Sequence, residues 1–198
     1  MSKILNKIGK KAKNALRERL NSKIKNKVLE DYIKLIKQNK NKLIIENKKD
    51  IKAAIAKKLK ENFIKRLSLN DQKINSIIKS IKTISKFKDP VDFELDRWTR
   101  PNGLEIKKVT IPIGVIGVIY ESRPNVTADV STLCFKSGNS VILRGGTEAY
   151  FSNKILASLF RKALQKNKIN KNFVQFIDNK NRKLVDFMLS KMNNYIDV

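Results

Sequence analysis

The stretch Ile111-Pro112-Ile113-Gly114-Val115-Ile116-Gly117-Val118-Ile119-Tyr120-Glu121-Ser122-Arg123-Pro124-Asn125-Val126-Thr127 decides the fold. Gly114–Tyr120 is a continuous apolar run rather than an alternating one. That is the pattern of a strand covered on both faces, as in parallel sheets. The polar corner Glu121–Asn125 then leads into a helix, Val126–Lys136. The same alternation follows twice more: strand Ser140–Leu143 and helix Glu148–Gln165, then strand Phe173–Ile177 and helix Arg182–Lys191. Tyr195–Val198 reads as the start of a fourth strand. Alternating strands and helices of these lengths predict an α/β fold with a doubly wound parallel sheet.

Upstream of this block the pattern is different. Phe93–Arg100, then Pro101-Asn102-Gly103, then Leu104–Ile111 reads as a β-hairpin, with Asn-Gly supplying the positive φ angles of a tight turn. Before Lys88-Asp89-Pro90 the chain reads as helices. Residues 3–19 form a basic amphipathic helix with Ile4, Ile8, Ala12, Ala15 and Leu16 on one face. Asn21 or Ser22 caps a second helix bearing Val28, Leu29, Ile33 and Ile36, and a third runs from about Asn41 to Leu59. Asn70 or Asp71 caps a fourth, whose stripe Ile74, Ile77, Ile78, Ile81, Ile84 fits a 3.6-residue period. The expected organisation is a helical region over 1–90, a hairpin over 91–111 and a Rossmann-like unit over 112–198.

Composition excludes several chemistries. The 198 residues contain no histidine, so imidazole bases, Ser-His and Cys-His catalysis and histidine metal ligands are ruled out within the chain. A single cysteine excludes an internal disulfide and a Cys-rich zinc site. No metal site is expected. The ten-residue run Ile111–Tyr120 is too short for the roughly 20 residues of a membrane span. The basic N-terminus lacks the apolar segment of a secretory signal.

The formal net charge of +26 is the usual footprint of a nucleic-acid binder. Its distribution argues otherwise. Residues 1–100 carry 29 basic and 11 acidic groups, whereas residues 109–153 carry three of each. The excess is mostly Lys, not the Arg favoured for phosphate and base recognition, and aromatics are only 7%. A solvated lysine surface is therefore expected, with no specific nucleic acid as partner.

Two strand ends carry candidate chemistry, because open α/β sheets bind ligands there. After the first strand, Asn125 reads either as an amide that donates to a developing oxyanion or as a cap of the following helix. After the second, Arg144-Gly145-Gly146-Thr147-Glu148 combines glycines that let a backbone approach phosphate, a helix start with free N–H groups, an Arg for phosphate and a Glu for ribose hydroxyls. It reads equally well as an ordinary glycine-rich turn. A G-x-G-x-x-G fingerprint is absent, since Gly114 and Gly117 lie inside the strand. Cys134, within an apolar helix and without a nearby base, reads as a buried small hydrophobe.

The stretches Ile111–Thr127, Cys134–Gly146 and Tyr195–Asp197 closely resemble gamma-glutamyl phosphate reductases (glutamate-5-semialdehyde dehydrogenases), and Lys25–Leu29 fits as well. The resemblance implies an aldehyde-dehydrogenase-like fold and a step of proline biosynthesis in the cytoplasm. There, NADPH reduces L-glutamyl 5-phosphate to L-glutamate 5-semialdehyde with release of phosphate, through a cysteine thioester. By the same resemblance Asn125 holds the thioester oxyanion. Arg144, Gly145, Gly146 and Glu148 lie along the NADP(H) ribose and phosphates, and Ser122, Arg123 and Pro124 lie beside the nicotinamide half. The family's nucleophilic cysteine falls beyond Val198, and Cys134 matches another position. The chain is thus expected to be an N-terminal portion without its catalytic domain and inactive alone, its full-length form a homo-oligomer. The alternatives are a basic nucleic-acid-binding module, and an assembly partner for a separately encoded catalytic half.

Overall fold

The computed structural model describes residues 2–198. Five helices come first: α1 (Ser2–Ala15), α2 (Ser22–Gln38), α3 (Lys40–Ala56), α4 (Glu61–Leu67) and α5 (Asp71–Ser85). Asn21 caps α2 by accepting from the Ile24 N–H at 2.9 Å, and Asn70 caps α5 by accepting from Lys73 N–H at 2.8 Å. In both cases Asn, not the following Ser or Asp, is the cap. Helix α4 has no counterpart in the sequence reading, because seven residues are too few to display a period. The third helix also ends earlier than Leu59. Lys58 takes φ +54° there, closing the helix with a left-handed residue that no glycine announces.

Helix α1 stops at Ala15 and keeps most of the expected face, burying Ala12 and Ala15 with Ile8 and Leu16 packed beside them, but it takes Leu5 in place of Ile4. Leu5, Ala12 and Ala15 are fully buried, while Ile4 is 63% exposed. Its buried stripe packs on the sheet, and Ser140 Oγ donates to the Ala12 carbonyl at 3.0 Å.

The hairpin joins β1 (Glu94–Thr99) to β2 (Glu105–Val109), with Trp98 opposite Ile106. Only Gly103 in its turn has positive φ, at +82°, so the connection is not the two-residue turn that Asn-Gly suggests. The hairpin stands away from the body, leaving Leu95, Trp98 and Leu104 exposed.

The alternating block follows: β3 (Val115–Tyr120), α6 (Pro124–Lys136), β4 (Ser140–Gly145), α7 (Tyr150–Lys166), β5 (Val174–Phe176) and α8 (Lys183–Lys191). The three strands are parallel in the order β3-β4-β5. Residues 195–198 lie along the free edge of β3. The Asp197 N–H donates to Val115 O at 2.8 Å, and Gly117 N–H to Val198 O at 2.7 Å. The expected fourth strand is thus present as a short pairing segment, and chain progression reverses at β3.

Both sheet faces are covered. Val141, Leu143 and Val174 face α2, α5, α6 and α7. Val115, Ile142 and Ile177 face α1 and α8. The thicker side is built around Tyr32, Phe135, Phe160 and Phe173, whose successive ring centroids lie 4.6–5.6 Å apart. Most lysines are on the surface. Lys25 and Lys136 are the buried exceptions, Lys25 paired with Asp89 at 2.9 Å and Lys136 bonded to Asn26 and the Ser85 carbonyl.

Candidate functional site

The carboxyl ends of β3 and β4, beside the reversal, open onto a cavity of about 740 Å³. Ser122, Arg144, Gly145, Gly146, Thr147 and Glu148 line it, with Arg182 and Asp186 from the α8 side and Phe63 from α4. A buried relay fixes the end of β3. Thr127 Oγ1 donates to Asn153 Oδ1 at 2.9 Å, so the Tyr120 hydroxyl must be the donor in its 2.6 Å bond to Thr127. This relay ties β3, α6 and α7 together directly beneath the loop.

The two glycines serve packing. A Cβ on Gly145 would run into Asn153 Nδ2 and come 2.9 Å from the Tyr120 ring. A Cβ on Gly146 would overlap Ser122 Oγ and lie 2.9 Å from Ser122 N. Their small size lets the β4 loop lie against the β3 corner. Across that contact Ser122 Oγ donates to Glu148 Oε2 at 3.0 Å, and Thr147 Oγ1 donates to Oε1 at 2.9 Å. Burial raises the Glu148 pKa, but the bonds from Thr147, its own N–H and Ser122, with nearby Lys57, outweigh it. Glu148 is therefore ionised below the ordinary carboxylate value.

Arg144 is 5% exposed. Its guanidinium donates to the carbonyls of Gly145 and Lys180, and Nε is buried without a partner. Burial lowers its pKa. The expected free N–H groups at the following helix are not free. Asp50 of α3 accepts from Phe151 N–H at 3.0 Å and Ser152 N–H at 2.8 Å, and takes the Ser152 hydroxyl as well. A carboxylate of the protein occupies the place a phosphate would take at the start of α7. Burial raises the Asp50 pKa, partly offset by these bonds.

Asn125 is in a different place from the loop residues. It lies in the first turn of α6, where Pro124 is the first residue and Arg123 the cap, so Asn125 does not cap the helix. Its Nδ2 donates to Asp129 Oδ2 at 3.2 Å, leaving the second N–H of the amide available. Pro124, Asn125 and Asp129 line a second cavity of about 330 Å³ together with Arg66, Lys73 and Ser80. Arg123 is on the surface, ion-paired with Glu121.

Over 179 residues the chain is 43% identical to gamma-glutamyl phosphate reductase of Alkaliphilus oremlandii, covering 90% of this chain and 43% of that one. Its structure matches the crystal structure of gamma-glutamyl phosphate reductase from Thermotoga maritima with a TM-score of 0.94 at 38% identity, over 97% of this chain and 47% of that one. The chain is similar in sequence and in fold to these gamma-glutamyl phosphate reductases and spans somewhat under half their length. A probable aldehyde dehydrogenase of Listeria monocytogenes, only 13% identical, still matches with a TM-score of 0.71 over 96% of this chain and 40% of its own. The fold is therefore aldehyde-dehydrogenase-like. No family model matches the chain.

The match to the Thermotoga gamma-glutamyl phosphate reductase covers nearly the whole chain, so both cavities lie within the shared fold. Cys134 lines neither. It is buried in α6, burial pushes its thiol up to about 11, and no base accompanies it. Thr147, Lys57 and Arg182 around the first cavity, and Arg66, Lys73 and Asp129 around the second, were not singled out from sequence. Thr147 lies between two that were, and Asp129 one helical turn after Asn125. The cations are lost among the many other basic residues of the chain.

Proposed function

We propose that this chain is the dinucleotide-binding portion of a gamma-glutamyl phosphate reductase. The supporting observation is the convergence of Ser122, Arg144, Gly146 and Glu148 on one cavity at the carboxyl ends of two adjacent parallel strands, the end of an open α/β sheet where ligands bind. The residues fit such a ligand. The cavity has the volume of a cofactor site, Glu148 is an ionised acceptor for ribose hydroxyls, and Arg144 Nε is a buried donor with no protein partner. Asp50 at the start of α7 favours a pose in which phosphates lie along the 144–148 loop and not on that helix end.

Ser122, Arg144, Gly146 and Glu148 would hold NADPH, which would supply the hydride that turns the acyl group of L-glutamyl 5-phosphate into L-glutamate 5-semialdehyde, with release of phosphate. Asn125 directs its free N–H at the oxyanion of that acyl group, with the other N–H held by Asp129. The nucleophile is not Cys134, whose thiol is protonated at neutral pH and faces no cavity. The chain alone is therefore inactive. The exposed apolar hairpin provides the surface for homo-oligomer assembly in the whole enzyme, which acts in the cytoplasm. No described helix is long and apolar enough to cross a membrane.

The test is a fluorescence titration of the chain with NADPH. Saturable binding is expected, weakened about tenfold by Glu148→Ala, the loss of one charge-assisted hydrogen bond. Undetectable binding, or binding indifferent to that change, refutes the assignment. NADPH-dependent turnover by the chain alone refutes its inactivity.

A further inference from the structure

We infer that the second cavity, between α4, α5 and the start of α6, holds the α-amino-acid end of the substrate, with Asp129 taking the ammonium and Arg66 and Lys73 the carboxylate. The inference rests on the proposed reductase function and assigns the substrate pole to named residues.

The charges of this cavity are incompletely matched within the protein. Asp129 lines it and accepts hydrogen bonds from the Ser80 hydroxyl at 2.7 Å and the Asn125 amide at 3.2 Å, both neutral donors. Among the described residues no cation lies within ion-pair distance of Asp129, although Lys and Arg outnumber Asp and Glu 44 to 18. An acidic side chain kept clear of cations in so basic a chain is suited to a cationic ligand. Lys73 is half-buried and, among the described residues, donates only to the Lys65 carbonyl and has no carboxylate partner. Arg66 has a single loose contact, 3.7 Å from Glu121.

One cavity thus presents an unpaired carboxylate, an unpaired ammonium and a weakly paired guanidinium, with serine hydroxyls between them. The complement is a small zwitterion. An α-amino acid carries opposite charges on adjacent atoms, and the fork of Arg66 matches a carboxylate. Because Asn125 shares both this cavity and a bond with Asp129, the same residue that grips the ammonium orients the amide proposed to meet the reacting carbonyl. Charge recognition and carbonyl placement are then set by one turn of α6.

The test uses the whole chain, L-glutamate as probe, and amide chemical shifts as readout, with NADPH titrated separately into the same samples. L-Glutamate is expected to shift amides of residues 73–80 and 125–129. Glutarate, which lacks the ammonium, should bind about tenfold or more weakly. Asp129→Asn should remove that discrimination, and Lys73→Met should weaken both ligands. Near-ultraviolet circular dichroism checks that each variant is folded. No L-glutamate binding, equal affinity for glutarate, or full discrimination by Asp129→Asn overturns the proposal. Inorganic phosphate shifting these amides while L-glutamate does not also overturns it, by assigning the cations to a phosphoryl group. NADPH binding distinguishes the two failures: its presence leaves the reductase reading standing while this one falls.

Discussion

Replacing Gly146 by alanine tests the idea that the 144–148 loop is held by close packing on the β3 corner. The backbone at Gly146, φ −55° and ψ 147°, suits any residue, so the substitution adds no conformational strain. Stiffening the unfolded chain even favours alanine by about 0.4–1 kcal/mol. The added methyl, however, overlaps Ser122 Oγ and lies 2.9 Å from Ser122 N. Overpacking of this kind costs about 1–3 kcal/mol. The net loss is about 1–2 kcal/mol, a fall of roughly 2–8 °C in Tm for a chain of this size. Ser122→Ala alone loses the bond to Glu148 and costs about 1.5 kcal/mol. In the double variant the hydroxyl that causes most of the overlap is gone. The two costs should therefore fail to add, with a coupling of about 1 kcal/mol in the relieving direction. Thermal unfolding by circular dichroism measures all four proteins. Additivity within about 0.5 kcal/mol, or a Gly146→Ala protein as stable as its parent, refutes the packing account.

Acid should act on the Asp31 site. The Lys166 ammonium at 2.7 Å, aided by Asn167 at 2.9 Å, holds its carboxyl below the ordinary 3.8 despite burial. A depressed folded pKa means stability present above the unfolded value and lost as pH falls through the folded one. Urea midpoints from pH 7 down to 2.5 should drop more for the parent than for Asp31→Asn, and parallel curves would contradict this. With its thiol pushed up to about 11 by burial, Cys134 should resist a disulfide reagent at pH 8 in the folded chain and react at once in urea. Rapid labelling of the folded protein would show that its site is open.

The strand-helix alternation after Gly114 was legible because apolar runs, polar corners and helical periods change there at clear boundaries. The caps Asn21 and Asn70 were legible for the same local reason. The three misread details are each set from outside their own segment. The first turn of α1 buries Leu5 rather than Ile4, a choice made by the sheet beneath it, while the rest of the expected face is kept. The third helix stops at a left-handed lysine, and the hairpin turns on Gly103 alone. In the site, Arg144, Gly146 and Glu148 stood together in sequence and stand together in space. The use of Asp50 was not readable, since its partners Phe151 and Ser152 lie about a hundred positions away. Nor did the corner Ser122–Asn125 reveal that it divides between two cavities.

The seat of α1 on the sheet has a consequence for synthesis. Ser140, whose hydroxyl donates to the Ala12 carbonyl on that face, is made 128 residues after it. At about 5–20 residues per second, the apolar stripe Leu5–Ala12–Ala15 leaves the ribosome roughly 6–25 s before the strand that covers it exists. Helix α1 thus waits for its seat, and for that interval the nascent chain carries a basic, amphipathic handle open to chaperones.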